Sequence, residues 1–363
     1  VTVSGQVTNG TAGGSIPADL SLTLFVFDPD FNQQQTSVSA SADGSFSFPD
    51  VPFDSASTYV VTVDYRDRVF TSELLAGDML NADAADGSLN LPISIYELTE
   101  DPDVIRIDGL VTQLSVAGES LQVAQVFNVT NTGDRAFTSS QAASNGGMIS
   151  LVITLPPGAI IAGFPDNQNR YSFDQENFTV FDTLPVLPGE QHLVQVVYLI
   201  QYDSGGAIIE QPLNYALEGP VRLLVTPLNV GISSDQLASR GTETVGNSQF
   251  QGYGADLSLA AGDVLRYDIS GTGAAVGTTQ TVSSSNLLPL VAGVLIIAAL
   301  LGGGLLVIGT RSRSGDQQVI DILVRQIAEL DAEHDSGQID TDSYERQRAA
   351  LKARLTALME RKK

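Results

Sequence analysis

The sequence lacks cysteine and tryptophan, and it has only two histidines in 363 residues. Without cysteine the chain can form neither a disulfide nor a thiolate metal site. His192 and His334 leave little material for histidine chemistry, and the missing tryptophan removes the best aromatic platform for cations. The chain also contains no nucleotide-binding loop, nucleophile elbow or zinc-protease motif. We therefore expect a protein that is not an enzyme and that carries no cofactor and no metal.

Lysine is absent from residues 1–351, and the first one is Lys352. The net charge is −24, yet from Arg311 onward ten basic residues balance ten acidic ones. The first 310 residues therefore hold 32 acidic residues and only 8 basic ones, all of them arginine. A surface this acidic repels phosphate backbones. The composition excludes nucleic acid as a partner and indicates a solubilising acidic surface.

One uncharged run, LLPLVAGVLIIAALLGGGLLVIG at 287–309, stands out in the sequence. As an α-helix its 23 residues span about 34 Å, enough for a hydrocarbon core of about 30 Å. Arg311 and Arg313 follow it, whereas 272–286 before it is rich in Gly, Ser and Thr. The pattern predicts a flexible stalk and then a single transmembrane helix in the cell membrane, with the preceding region extracytoplasmic and the tail cytoplasmic. The first residue, Val1, further suggests that a signal peptide has been removed.

Small residues recur four positions apart within this predicted helix. Ala298 with Gly302 and Ala299 with Gly303 make two such pairs. Small residues let membrane helices approach closely, so these four form a candidate helix-packing patch. Glycine is also common in membrane helices in general, and the sequence leaves both interpretations open.

Residues 1–98 show the alternation of a β-sandwich. Polar and apolar residues alternate in Asp19–Asp28, Gly44–Phe48, Thr58–Asp67 and Gly87–Leu98. Turn dipeptides such as Asp43-Gly44 separate these runs, and short strands at this spacing are typical of a sandwich.

A second β region is predicted at 104–271. Its candidate strands are Leu121–Asn131, Ile149–Pro156, His192–Asp203 and Val221–Asn229. The residues from 206 to 271 either complete this second sandwich or form a small domain of their own, because both arrangements give the same alternation.

The first region resembles a known domain family through ADGSFSFPDVPFDSASTYVVTVDY. The run is similar to the carboxypeptidase-regulatory-like (transthyretin-like) β-sandwich of bacterial surface proteins. That family's pattern is D-G-x-F-x-F-x-x-[VL]-P followed by Y-x-V-x-V. The matching positions are Asp43, Gly44, Phe46, Phe48, Val51, Pro52, Tyr59, Val61 and Val63. The resemblance implies a fold but no activity, since such modules act as spacers, binding platforms and stabilisers alike.

The tail at 316–360 shows helical periodicity instead. Apolar residues step by three or four on each side of Gly337, which suits the left-handed end of one helix. Asp340 suits the N-cap of the next, with Ile339 and Tyr344 in the positions of a hydrophobic staple. We therefore predict an antiparallel cytoplasmic α-helical hairpin. Its candidate docking residues are Leu323, Ile327, Leu330, Gly337, Ile339, Tyr344, Arg348, Leu351 and Leu355.

This tail also resembles known segments, through the positions Leu330, Asp331, Gly337, Ile339, Tyr344, Arg348 and Leu351. It is similar to the cytoplasmic segment of the haem-lyase-associated membrane subunit of c-type cytochrome maturation, and to short hairpins at the C-termini of bacterial membrane proteins. The second membrane helix and the helical-repeat domain of that subunit have no counterpart in this sequence. The resemblance implies a protein-docking element.

The expected fold class is therefore mainly β, with tandem extracytoplasmic β-sandwiches, one transmembrane α-helix and a cytoplasmic α-helical hairpin. Two functions remain open. One is a non-enzymatic membrane-anchored scaffold or assembly subunit, such as an accessory of cytochrome maturation, whose partners are the bilayer and other proteins. The other is a surface module that binds polysaccharide or matrix and uses the tail as a passive anchor. The oligomeric state is not predicted.

Overall fold

The computed structural model describes residues 1–28, 32–73, 75–76, 87–167, 169–203, 206–245 and 248–272. It also describes eight single positions of the tail, which are Ile327, Asp331, His334, Thr341, Tyr344, Glu345, Arg348 and Lys352. The chain divides into two compact units, one made of Val1–Leu98 with Arg311–Lys363 and the other of Thr99–Thr310.

The first unit consists of two β-sheets. The first sheet has β1 at its centre, antiparallel to β4 and parallel to β8 and β9. The second sheet has the order β3-β2-β5-β6, and β7 also pairs with β5. The strands are β1 Thr2–Asn9, β2 Ser21–Phe27, β3 Gln33–Ser39, β4 Ser45–Phe48, β5 Thr58–Asp64, β6 Val69–Thr71, β7 Leu75–Ala76, β8 Ser88–Asn90 and β9 Ile93–Ile95.

The turn before β4 shows how the sequence determines this packing. Gly44 has φ +85°, and a Cβ there would lie 2.6 Å from the carbonyl oxygen of Val7, so only glycine fits. The Asp43 carboxylate accepts hydrogen bonds from the Ser45 amide and hydroxyl. Phe46 and Phe48 then point to the same side and are buried, with ring centroids 5.8 Å apart. The predicted common face of the two phenylalanines is confirmed.

The second unit contains the remaining strands, except that β10 begins at Leu98 of the first unit, and a 3₁₀ turn at Pro102–Val104 precedes β11. These strands are β10 Leu98–Thr99, β11 Ile105–Ala117, β12 Ser120–Asn131, β13 Ala136–Phe137, β14 Leu151–Thr154, β15 Ile160–Gly163, β16 Tyr171–Asp174, β17 Thr179–Asp182, β18 Gln191–Gln201, β19 Ala207–Pro212, β20 Ala216–Thr226, β21 Gly231–Ser233, β22 Ala238–Val245, β23 Ser248–Leu259 and β24 Val264–Ser270.

A seven-stranded sheet dominates this unit, with the order β15-β18-β12-β11-β20-β23-β22. In the antiparallel pair of β12 and β18, Leu121 and Val123 lie on the same face as Val194 and Val196 and enter one large apolar core. Gly219 lets β20 lie close to its parallel neighbour β11, because a Cβ there would be 2.1 Å from the carbonyl oxygen of Asp108. Burial of this face stabilises the unit.

Two three-stranded sheets cover the core. They have the orders β14-β17-β16 and β19-β24-β21, and β10 and β13 form a further two-stranded sheet. Buried side chains of β24, such as Leu265 and Tyr267, belong to the same core as those of β11 and β12. The strands within 206–271 are therefore part of this unit, which answers the question that the alternation left open.

The predicted transmembrane helix and helical hairpin require correction. Within the part of the chain that the structure describes, no helix is long and apolar enough to span a membrane. The run 287–309 on which that prediction rests lies outside the described residues, as does the stalk 272–286 except for Thr272. The eight described tail residues have helical backbone, but none belongs to a helix with described bounds. The elements with described bounds are thus β-strands and one 3₁₀ turn, and the mixed fold class is wrong in its helical part.

The predicted single-pass localisation is corrected for a further reason. Nη2 of Arg348, which was expected in the cytoplasm, donates a hydrogen bond of 2.8 Å to Oε1 of Gln33 on β3, which was expected outside. A hydrocarbon core of about 30 Å cannot separate two side chains in contact. Apolar periodicity reports one face of a segment and says nothing about what packs against it, which is why the sequence did not reveal this contact.

Candidate functional site

The predicted docking residues of the tail are only partly described. Ile327 is fully buried, and the Nε and Nη2 atoms of Arg348 donate to the buried carboxylate of Asp331 at 2.8 and 3.4 Å. The rings of His334 and Tyr344 stack at 4.1 Å. Arg348, which the sequence analysis proposed as a docking residue, therefore forms an ion pair with Asp331. The other predicted positions lie outside the described residues, namely Leu323, Leu330, Gly337, Ile339, Leu351 and Leu355, and in the predicted membrane patch Ala298, Ala299, Gly302 and Gly303.

Among the residues that the structure describes, one group of buried, mutually bonded titratable side chains lies in the second unit, and we call it the ion cluster. It comprises Asp166, Arg170, Tyr171, Asp182 and His192. Arg170 directly precedes β16, Asp182 ends β17 and His192 is the second residue of β18. Because β16 and β17 belong to a three-stranded sheet and β18 to the seven-stranded sheet, the ion cluster joins two sheets.

A salt bridge with two parallel hydrogen bonds forms the centre of the ion cluster. Arg170 donates from Nε to Oδ1 of Asp182 at 2.7 Å and from Nη2 to Oδ2 at 2.5 Å. Nε2 of His192 lies 2.7 Å from the same Oδ2 and 2.6 Å from Nη2 of Arg170. The Leu184 amide donates to Oδ1 of Asp182 at 3.0 Å. The Asp182 side chain is 0% exposed, so both of its oxygens are saturated by protein groups.

Arg170 also forms a salt bridge with a second buried carboxylate of the ion cluster, that of Asp166. Nη1 of Arg170 donates to Oδ2 of Asp166 at 3.1 Å, and the Tyr171 hydroxyl donates to the same oxygen at 2.8 Å. The guanidinium also lies over the Tyr171 ring, 4.9 Å from its centroid. Phe164 stacks on that ring at 4.5 Å. Arg170 thus bridges two carboxylates and one aromatic face.

Burial and neighbouring charges set the protonation states in this group. Burial and then the Arg170 guanidinium lower the pKa of His192, with Asp182 opposing them in part. Burial alone would raise the pKa of Asp182, but Arg170 and His192 outweigh it and hold that pKa well below its usual range. Burial raises the pKa of Asp166 and of Tyr171. His192 is therefore neutral and Asp182 ionised at pH 7.

A His–Asp pair invites comparison with a general base, but this geometry does not suit one. General-base catalysis needs a proton donor of the substrate within hydrogen-bond reach of the imidazole. Nε2 of His192 already contacts Arg170 and Asp182, and its side chain is 6% exposed. No Ser, Thr or Tyr hydroxyl among the described residues is hydrogen-bonded to the imidazole. The arrangement can hold sheets together, and it places no described hydroxyl group for activation by the imidazole.

Sequence reasoning singled out His192 alone and missed the other four members of the ion cluster. They stand up to 26 positions apart, from Asp166 to His192, and no motif has this spacing. The one available signal was Arg170, which lies in a region with few arginines. A lone cation among many carboxylates is expected to form an ion pair when it is buried.

A second feature is a groove of about 490 Å³ on the outer face of the sheet β19-β24-β21. Nη1 of Arg266 donates to Oε1 of Glu210, its partner on the neighbouring strand, at 3.0 Å. Asp235 and Asp268 also line it. We call this feature the acidic groove. No three metal-ligating side chains come together in the described ranges, so the acidic groove does not form a metal site there.

Comparisons with known proteins give little further information. No protein-family model and no curated protein matches the chain. Among solved structures it is similar to a two-domain M1 zinc metallopeptidase variant bound to L-tryptophan, at 12% identity and a TM-score of 0.31, over 57% of this chain and 55% of that one. An M1 zinc metallopeptidase from Deinococcus radiodurans gives 12% identity and a TM-score of 0.31 over 64% and 71%. The chain thus spans about half the length of the first of these structures, and similarity at this level assigns neither fold nor activity.

Proposed function

We propose that the protein is a non-enzymatic scaffold that holds partner proteins on its β-sheet units. The ion cluster carries this proposal. It is the strongest concentration of perturbed titratable groups in the described chain, and such concentrations are where catalysis is sought first. Here every charged group is turned inward onto another member, so the cluster stabilises the unit and leaves the surface to do the binding.

The distribution of the arginines supports the same proposal. Arg66, Arg106, Arg222, Arg240 and Arg266 each form an ion pair with a carboxylate of the chain. These arginines are thereby committed to the fold, and the excess of carboxylates determines the charge of the surface. Charge of one sign favours complementary partners and disfavours others, which gives an interface specificity.

The test compares partner binding with catalysis in one variant. Full-length protein is crosslinked in its native extract, and the recovered partners are quantified for the wild type and for His192→Gln at a temperature where both are folded. A scaffold retains the same partners in the same stoichiometry in both. The proposal fails if the wild type recovers no stoichiometric partner, or if a turnover activity is found that His192→Gln abolishes without unfolding the protein.

A further inference from the structure

The outer face of the sheet β19-β24-β21 combines exposed apolar side chains with carboxylates. β24 alternates strictly, so Leu265, Tyr267 and Ile269 enter the core while the residues between them face outward. Outward-facing Val264 is 41% exposed, and Ile208 of β19 is 61% exposed. These are two of the four large apolar side chains exposed in the described chain. Ile208 lies opposite Asp268, whereas Val264 lies four residues away along β24, about 13 Å at the rise of a strand, so this face offers two separate apolar contact points with the Glu210–Arg266 pair between them.

The carboxylates of the acidic groove are only partly neutralised from within. Glu210 is paired with Arg266 at 3.0 Å. Asp268 lies directly across from Ile208 on the neighbouring strand, and Asp235 follows β21 on the other side of the groove. Neither aspartate forms an ion pair with any residue that the structure describes. The groove therefore presents two carboxylates without an ion-pair partner among the described residues, with Val264 in its lining and Ile208 beside it, opposite Asp268.

The wall of the groove is fixed in place before any partner arrives. Oγ of Ser234 donates to the Arg266 carbonyl at 2.7 Å. Nε2 of Gln236 donates to the Val264 carbonyl at 3.1 Å, and the Arg266 amide donates to Oε1 of Gln236 at 2.7 Å. The Gln236 amide thus replaces a neighbouring strand along this part of β24 and closes that edge. A site whose loop is already ordered loses less entropy on binding.

We propose that the acidic groove docks a protein segment in which basic and apolar residues alternate, a proposal that rests on the scaffold function above. Apolar side chains of that segment cover Ile208 and Val264, while its Lys or Arg residues face Asp235 and Asp268. A second copy of this chain is a poor occupant, because two molecules of net charge −24 repel each other. Charge complementarity selects a cationic partner and makes its binding salt-dependent.

The experiment measures fluorescence anisotropy of a short peptide of alternating lysine and valine with the full-length protein, against a glutamate–valine peptide of equal length. We expect binding of the lysine peptide alone, weakening as salt is raised. Asp235→Asn and Asp268→Asn should each weaken it about three- to five-fold, as expected for loss of an exposed ion pair. Ile208→Ser should weaken it about five-fold through lost apolar contact.

Matched controls lie elsewhere in the same unit. Ile160, on β15, is 59% exposed, so Ile160→Ser removes a similar apolar side chain outside the groove. Asp256→Asn removes an exposed carboxylate of β23 that does not line the groove. Neither control should change peptide affinity. The proposal is overturned if the controls weaken binding as much as the groove variants, or if both peptides bind equally.

Sedimentation velocity tests whether the groove binds a second copy of the chain instead. A dimer that Ile208→Ser dissociates would also overturn the proposal. If the groove variants do not weaken peptide binding but crosslinking still recovers stoichiometric partners, the groove proposal is refuted and the scaffold function is retained. If crosslinking recovers no stoichiometric partner, the scaffold function is refuted, regardless of whether the lysine peptide binds the groove.

Discussion

Nε2 of His192 lies 2.7 Å from Oδ2 of Asp182, and the two residues belong to strands of different sheets. Asp182 is the last residue of β17, while His192 belongs to β18. The contact therefore joins a three-stranded sheet to the seven-stranded one across only ten positions of chain. Arg170, the residue before β16, also donates to Asp182. A buried carboxylate that neutralises a buried guanidinium is expected to be costly to remove.

Replacing Asp182 tests how much the ion cluster stabilises the second unit. Asp182→Asn removes the charge that balances Arg170, and the buried guanidinium then keeps only Asp166 as an anionic partner. We expect the free energy of unfolding to fall by about 3–5 kcal/mol, measured by denaturant titration. Glu176→Gln removes an exposed carboxylate from the turn after β16, and should change the same quantity by less than about 0.5 kcal/mol. Equal effects of the two variants would contradict a stabilising role.

The depressed pKa of His192 predicts a pH dependence of stability. The folded pKa lies below that of the unfolded chain, about 6.5, so between the two values the unfolded chain binds more protons. Stability due to neutral His192 is therefore fully present above about pH 6.5 and decreases as the pH falls toward the folded pKa. Asp166, whose pKa burial raises, contributes with the opposite sign as the pH rises above its unfolded value.

The difference between wild type and His192→Gln isolates the histidine term, because Asp166 is common to both. We expect the wild type to lose more stability than the variant between pH 7.5 and pH 5, by about 1.4 kcal/mol for each pH unit over which only the unfolded histidine is protonated. Parallel pH profiles of the two proteins would show that His192 is not buried in neutral form.

Two buried tyrosines predict opposite effects of removing a hydroxyl. The Tyr215 hydroxyl accepts the Val152 amide of the outer strand β14 at 3.0 Å, and burial raises its pKa to about 12. Tyr215→Phe leaves that amide without its acceptor. We therefore expect the free energy of unfolding to fall by about 1–2 kcal/mol. The Tyr267 hydroxyl is buried and has no hydrogen-bond partner among the described residues. Tyr267→Phe should therefore be neutral or stabilising by up to about 1 kcal/mol. Thermal unfolding of both variants checks the contrast, and a larger loss for Tyr267→Phe would contradict it.

The acidic composition predicts stabilisation by salt. With a net charge of −24, self-repulsion opposes the compact state, and added salt screens it. Raising sodium chloride from millimolar to about 1 M should stabilise the protein by about 1 kcal/mol, equivalent to a rise of about 2–4 °C in Tm for a unit of this size. A neutral osmolyte at equal osmolality serves as the control. If salt raises Tm no more than the osmolyte does, self-repulsion is not a significant term.

Strand alternation predicted the first unit more fully than the second. The run from Thr58 appears as β5, and Phe46 and Phe48 are buried together. Between Pro156 and His192, however, the sequence indicated no strand, whereas the structure has β15, β16 and β17, each of four residues. Four residues complete only two periods of alternation, too few to distinguish a strand from a loop.

The ion cluster and the acidic groove could not be predicted for a related reason. Arg170, Asp182 and His192 meet because strands of two sheets meet, and pairing between distant strands is not encoded by local spacing. In the tail, the local pattern predicted more structure than the described residues show. The periodic apolar positions led to a self-contained cytoplasmic hairpin, whereas Arg348 pairs with Asp331 and also reaches Gln33 of the first unit.

The affinity of a crosslinking-identified partner for His192→Gln tests most directly whether the ion cluster is structural and the surface does the binding. The isotherm is measured by calorimetry with full-length protein at a temperature where the variant is folded. A structural cluster on a scaffold predicts a Kd within about two-fold of the wild type, together with a lower Tm. A folded variant that has lost partner binding, or an activity that disappears with the imidazole, would contradict that assignment.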